Sequence, residues 1–235
     1  MSNINRLHHP KGAPDYRMNA KGAKGEIYLY GVIGLSSDNF FGLDGITAKQ
    51  FADDLKNLGK VSQIDLRVNS DGGVVDDARA IYNLLVQHPA QVNTFIDGLA
   101  ASAASFISLA GKTIDIAEGG YVMIHNARGG ARGESKDLRA AADLMDSYTQ
   151  SIRNTYAART RQPDDKLKQW MDAETWFTAE EAKQYGFVDT ITQNMRAIAA
   201  VANPQAFHNL PAALKPNNRR AAAAFSRIAA LNFQN

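Results

Sequence analysis

Ser102 is the residue of this chain whose surroundings best suit covalent chemistry. It lies in the run Gly98-Leu99-Ala100-Ala101-Ser102-Ala103-Ala104-Ser105, behind a stretch that reads as a strand and ahead of one that reads as a helix. Small neighbours on both sides let backbone approach backbone and leave the hydroxyl uncovered, as a nucleophile on a strand-to-helix turn requires. A helix start also directs free N–H groups at developing negative charge. The run lacks the GxSxG pattern, which disfavours an α/β-hydrolase. By composition alone, a small-residue helix packed closely on a sheet explains it as well.

A serine nucleophile needs a base, and the chain has 5 histidines. His8 and His9 stand in a polar head, His88 precedes Pro89, and His208 lies in an alanine-rich tail. Only His125 ends an apolar strand pattern, YVMIH, and leads into a glycine-rich loop. There an imidazole can face a cleft while its strand stays packed. Two acids are candidates for orienting it, Asp172 and Glu174, which would share one side of an extended segment. The residues themselves do not choose between them. Gly72 and Gly73 follow a strand pattern and precede a helical one; one of their N–H groups, with that of Ala103, would form a two-donor oxyanion hole. Neither GxGxxG nor a Walker A lysine accompanies them, so nucleotide binding has little support. No carboxylate–histidine spacing supports a metal site, and serine chemistry requires no cofactor.

The elements that must hold these groups follow from composition and periodicity. The 235-residue chain is 45% hydrophobic and 21% charged, values of a soluble globular protein. It has no cysteine, which excludes thiol catalysis, disulfides and cysteine-based zinc sites; a cytoplasmic protein is the simplest reading. The N-terminus is polar, without a signal-peptide pattern, and the most apolar run, 99–110, is too short to span a bilayer. Residues 1–25 hold five basic groups and one acid, and 194–235 hold five basic groups and no acid, so the body between them is acidic. Nucleic-acid binding is unlike this pattern, since basic groups would gather on one folded face; the tails read as solubilising ends.

Strand patterns fall at 26–34, 63–68 and 92–96, at KTIDIA and YVMIH, and at FVDTI. Helical patterns fall at 47–58 with Thr47 as cap and at 75–87, ended by His88-Pro89. Further ones run through 136–159, from Pro163 through Trp170, and from Thr178, with Glu181 completing a capping box, to Gly186. The strand–helix alternation predicts a largely parallel sheet covered by helices. From about residue 194 onward the chain reads as a loosely held tail with one short helix near 220–231.

Four blocks, VNSDGG (68–73), GLAASAASFISLAG (98–111), MIH (123–125) and TAEEAKQYGFVD (178–189), resemble in order and spacing four blocks of the Clp protease proteolytic subunit family. The resemblance covers roughly 28–192. It implies an α/β fold, a crotonase-like (ClpP-like) repeated ββα spiral with a long projecting helix. The divisions would be a basic N-terminal segment, 1–25, a peptidase domain, 26–193, and a basic alanine-rich tail, 194–235. It implies a serine endopeptidase with Ser102 as nucleophile, His125 as base and Glu174 where the family has aspartate, Asp172 standing in reserve. Gly72 and Ala103 would donate to the oxyanion, and Gly73, Val74 and Val75 would bind substrate as an extended strand, with no cofactor or metal. Asp71 departs from the family's usual proline, Ala103 from its frequent methionine, and SSDNFFGLDGI is a front insertion.

The family implies a homo-oligomeric ring, a heptamer or stacked rings meeting through 136–159; an ATPase unfoldase is a further partner it allows, although the N-terminal stretch does not clearly match the loops that engage one. The pattern IYLYGVIG…NSDGG…DAETWFTAEEA looks closer to the Clp-like head maturation proteases of tailed bacteriophages and prophages. That implies phage scaffold and capsid proteins as substrates, in a bacterial or phage-infected host cytoplasm. The alternatives are a general Clp-type protease served by an ATP-dependent unfoldase, and a non-catalytic structural subunit. An acyl-CoA hydratase or isomerase on the same fold is opposed by the pairing of Ser102 with His125.

Overall fold

The computed structural model describes residues 16–35, 44–196, 201 and 204–215. The helix expected near 220–231, residues 36–43 of the front insertion, and His8 and His9 lie outside them.

Apolar residues recur at the strand period in the first third of the chain. The hairpin of β1 (Arg17–Lys21) and β2 (Lys24–Ile33) turns at Gly22, whose φ is +63°. The polar head was expected to run to residue 25. Instead Tyr16 and Met18 are buried, and β1 is an antiparallel edge strand. Two alternating apolar residues among charges were too short a signal to read. β2 continues into a parallel array with β3 (Gln63–Gly73), β4 (Gln91–Ala101), β5 (Thr113–Glu118) and β8 (Thr190–Arg196), in the order β1-β2-β3-β4-β5-β8.

β4 forks. Its residues 93–96 pair with β5, while Leu99–Ala101 pair in parallel with β6 (Tyr121–Ile124), which pairs antiparallel with β7 (Thr175–Thr178). This small second branch carries the site.

Helices cover the sheet: α1 (Ala48–Asn57), α2 (Val75–Gln87), α3 (Ala103–Ser108), α4 (Ser135–Thr160), α5 (Asp164–Asp172) and α6 (Ala179–Gln184). Thr47 caps α1 by accepting from Gln50 N, and Thr178 with Glu181 forms the full capping box of α6. These repeated strand–helix units agree with the expected mixed α/β class. α4 buries only Ile152, Tyr156 and Thr160, all in its C-terminal half, while Leu138 and Leu144 stand exposed nearer its start. The first turns therefore project from the body.

Residues 204–215 are not loosely held. Val201, Phe207, Leu210 and Leu214 are buried and form a second core with Leu99, Ala101 and Met123 from the forked branch. Each such side chain contributes on the order of 1.5–3 kcal/mol by burial. The segment folds as two 3-10 turns, Pro204–Ala206 and Ala212–Leu214, so no helical or strand period announced it.

Candidate active site

Backbone register draws the site before any side chain is placed. Ala101 pairs with Met123, and Ser102 N donates to Met123 O at 2.9 Å, so Ser102 arrives beside the end of β6. Ile124 pairs with Thr175 across the antiparallel ladder, so His125 and Glu174, each one residue further on, leave the branch opposite each other. Ser102 turns the chain from β4 into α3 with φ +53°, and Glu174 turns it into β7 with φ +49°. A non-glycine residue in this region costs on the order of 1–3 kcal/mol and persists where its surroundings over-determine it.

The nucleophile and base meet: His125 Nε2 lies 2.6 Å from Ser102 Oγ. Burial lowers the His125 imidazole to about 4, assisted by the positive charges of Arg128 and His208 and opposed by Glu174. It is thus neutral near pH 7 and ready to accept a proton. Its Nδ1 is buried and has no hydrogen-bond partner among the described residues. Glu174 is buried close by, but Arg128 Nη2 donates to one carboxylate oxygen and Asn209 N to the other, at 2.7 Å. Burial would raise that carboxyl; the amides of Asn209 and His208 together with Arg128 outweigh it and hold the group below the usual glutamate range. Arg128 Nη1 also donates to Ala206 O at 2.8 Å. A guanidinium and the 204–215 segment therefore hold the acid opposite the imidazole.

A family model described as Clp protease matches residues 46–195. The chain belongs to the Clp protease family. Among curated relatives it is 33% identical over 144 residues to ATP-dependent Clp protease proteolytic subunit 3 of Streptomyces coelicolor, covering 60% of this chain and 66% of that one. It is 36% identical over 138 residues to proteolytic subunit 1 of Frankia casuarinae, covering 57% of this chain and 64% of that one. It is 36% identical over 129 residues to the ATP-dependent Clp protease proteolytic subunit of Pleurastrum terricola, covering 53% of this chain and 64% of that one. The chain thus spans just under two thirds of the length of these relatives.

Within this Clp family fold, two sequence expectations change. Asp172 ends α5 rather than lying in an extended segment with Glu174. It is half-exposed and accepts from Asn126 Nδ2 at 2.8 Å and Lys168 Nζ at 2.6 Å, turned to the surface rather than to His125. The αR cap at Ala173 and the positive φ of Glu174 break the alternation that would have put both acids on one side. Gly72, expected to donate to an oxyanion, gives its N–H to Ser70 Oγ at 3.1 Å. A Cβ on it would lie 2.8 Å from Ser102 Cβ and 2.9 Å from Ala103 N, so its service is to let β3 approach the nucleophile turn. Gly73 and Ala103 line the cleft beside Ser102, as does Val75. Ser105 is structural: buried, it donates to Ser102 O at 2.7 Å and meets Tyr156 OH at 2.7 Å.

Sequence reasoning missed Arg128, Arg79 and the Ala206–Phe207 pair, all of which line the cleft. Arg128 follows His125 by three residues in the glycine-rich loop, and a cation so near a candidate base was a signal that went unused. No metal-holding group of three His or acidic side chains occurs among the described residues, and no described helix is long and apolar enough to cross a membrane.

Proposed function

We propose that this protein is a serine endopeptidase of the Clp type, in which Ser102 attacks a backbone carbonyl and His125 takes its proton. The observation that carries this reading is the 2.6 Å contact between Ser102 Oγ and His125 Nε2 at a strained strand-to-helix turn. As the Oγ–carbon bond forms, the proton moves to Nε2 and the carbonyl π electrons move to oxygen. Ala103 N, at the start of α3, and Gly73 N are the donors for that oxyanion; Gly73 replaces Gly72 because the Gly72 N–H is already committed. Collapse breaks the C–N bond, and His125 returns its proton to the leaving amine. Water then repeats the sequence on the acyl-enzyme.

Glu174 is the acid that orients the imidazole and steadies its positive form. In that role its carboxylate leaves Arg128 and accepts from His125 Nδ1. The opposed positions set by the β6–β7 register and the unpartnered Nδ1 support this assignment.

Substrate lies extended beside Gly73, Val74 and Val75, recognised largely through its backbone. The exposed first turns of α4, with Leu138 and Leu144, are the surface through which copies of the chain would assemble into rings. The named relatives are ATP-dependent Clp proteolytic subunits, which supports a general Clp-type peptidase fed by an ATPase unfoldase. The expectation of phage capsid maturation rests on resemblance alone and ranks behind it.

An active-site serine probe tests the reading. A fluorophosphonate is expected to label Ser102 in the native protein and Ser105→Ala, but not Ser102→Ala. Absence of labelling at any pH between 5 and 9, in protein shown to be folded and assembled, would favour a non-catalytic subunit.

A further inference from the structure

Among the described residues, the cleft beside Ser102 is lined by two cations, Arg79 and Arg128, and by no carboxylate. Arg128 is neutralised by Glu174. Arg79 has no ion-pair partner among the described residues. Its Nη1 donates to Ser151 Oγ at 2.7 Å, which fixes the guanidinium between α2 and α4. Its Nε and Nη2 are buried and have no acceptor among the described residues. Arginine cannot shed its charge, so both donors stay in place at any physiological pH. Leaving such a donor unmet costs roughly 1–3 kcal/mol, and more for a charged group.

Nε and Nη2 form one edge of the guanidinium fork. Elsewhere in this chain the same edge of Arg67 holds both oxygens of Asp97. Arg79 lines the cleft, and such an edge is complementary to a carboxylate that accepts two parallel bonds. The neighbouring walls of the cleft are apolar: Ala78, Phe106, Ile152 and Tyr156. A side chain with an aliphatic stem and a terminal carboxylate matches both features.

We propose that Arg79 sets the specificity of this site, selecting substrates whose residue at the scissile carbonyl is glutamate. This rests on the peptidase reading above. With the substrate backbone along Gly73–Val75, the side chain next to the attacked carbonyl enters the cleft between α2 and α4. Its methylenes lie against the apolar walls and its carboxylate meets Arg79. Leucine would bury the same walls but leave two charged donors unmet, and glutamine offers a single, uncharged acceptor oxygen.

The test uses peptidyl phosphonates that differ only in a glutamate-, glutamine- or leucine-like side chain, with the rate of covalent capture of Ser102 as readout. For the native protein, glutamate is expected to exceed glutamine and leucine by about 10- to 100-fold, the range of one charge-assisted hydrogen-bond pair. Arg79→Met is expected to abolish that preference and capture the leucine probe faster than the native protein does, while Arg79→Lys retains part of the preference. Circular dichroism and the rate with a small fluorophosphonate establish that the variants are folded. Equal or reversed rates in the native protein, including no capture by any peptidyl probe, would overturn the assignment of Arg79 and leave the peptidase standing. Failure of the small fluorophosphonate as well would bring down the peptidase reading itself.

Discussion

Replacing Arg128 by methionine separates a poised site from a merely structural ion pair. The imidazole of His125 sits at about 4, against an ordinary 6.5, because burial, Arg128 and His208 all disfavour its charged form. Burial and His208 remain in Arg128→Met. The guanidinium is gone, and with it the donor that holds one Glu174 oxygen, so the carboxylate opposite His125 across the β6–β7 ladder is free to accept from Nδ1–H. Both changes raise the imidazole, and a rise of one unit corresponds to about 1.4 kcal/mol of added preference for the protonated form. A conservative expectation is a rise of one to two units, by analogy with a carboxylate gaining a charged partner. The assay is kcat/KM for a peptide substrate against pH, which reports the free enzyme's base. The acid limb of the native protein should lie near pH 4 and that of Arg128→Met between about 5 and 6, with the plateau near pH 7.5 unchanged or higher. Thermal unfolding provides the second arm. If Glu174 finds no new partner, a buried carboxylate is left uncompensated, at about 3–5 kcal/mol. Lower stability with an unmoved acid limb would show that Arg128 and Glu174 are a structural pair and that Glu174 takes no part in the chemistry.

Other substitutions probe separate joints. Glu174→Gln keeps the amide contacts but removes the charge, and should lower kcat by about 10²- to 10⁴-fold, whereas Asp172→Asn, at a surface carboxylate that accepts from Asn126 and Lys168, should stay within twofold. Gly72→Ala places a Cβ 2.7 Å from Ala101 O at φ +99°, so serine labelling should fall at least about 100-fold as the nucleophile turn is pushed aside. Phe207→Ala removes a buried ring that meets Trp176 edge to face, with centroids 5.1 Å apart, and should destabilise by about 3–5 kcal/mol in chemical denaturation. Because folded His125 binds its proton more weakly than the unfolded chain does, its neutral burial stabilises fully above about pH 6.5. That contribution should decline as pH falls towards 4, and a His125→Gln variant should show a shallower loss over this window.

Much of the site was legible because it is written in local chemistry. Ser102 stands among small residues at a strand-to-helix junction, and His125 ends an apolar run; both signals are contiguous, and both residues arrive in contact. The choice between Asp172 and Glu174 was not legible because it depends on the αR turn at Ala173 and on a left-handed Glu174, a conformation that no residue type in MDAETW announces. Gly72 and Gly73 are equivalent as letters; only the hydroxyl of Ser70, which claims one of their two N–H groups, distinguishes them. Parallel strands and capped helices followed from periodicity, but the fork in β4 did not. It needs Asp97–Leu99 to carry the strand from one partner to another, and a sequence shows a strand's residues without its neighbours. The burial of Phe207, Leu210 and Leu214 escaped for a related reason: irregular turns bury side chains without a period.

The forked branch also determines how such a centre would fail. Three reacting groups hang on the ends of adjoining strands, brought together by main-chain pairing before any side chain acts. Sliding the last ribbon by a single residue past its neighbour would turn the carboxylate to the opposite side of the sheet, together with Trp176 and Phe177, while Ser102 and His125 stay on their own strands. A tug on the segment clasped to that ribbon through Asn209 would act on this alignment directly.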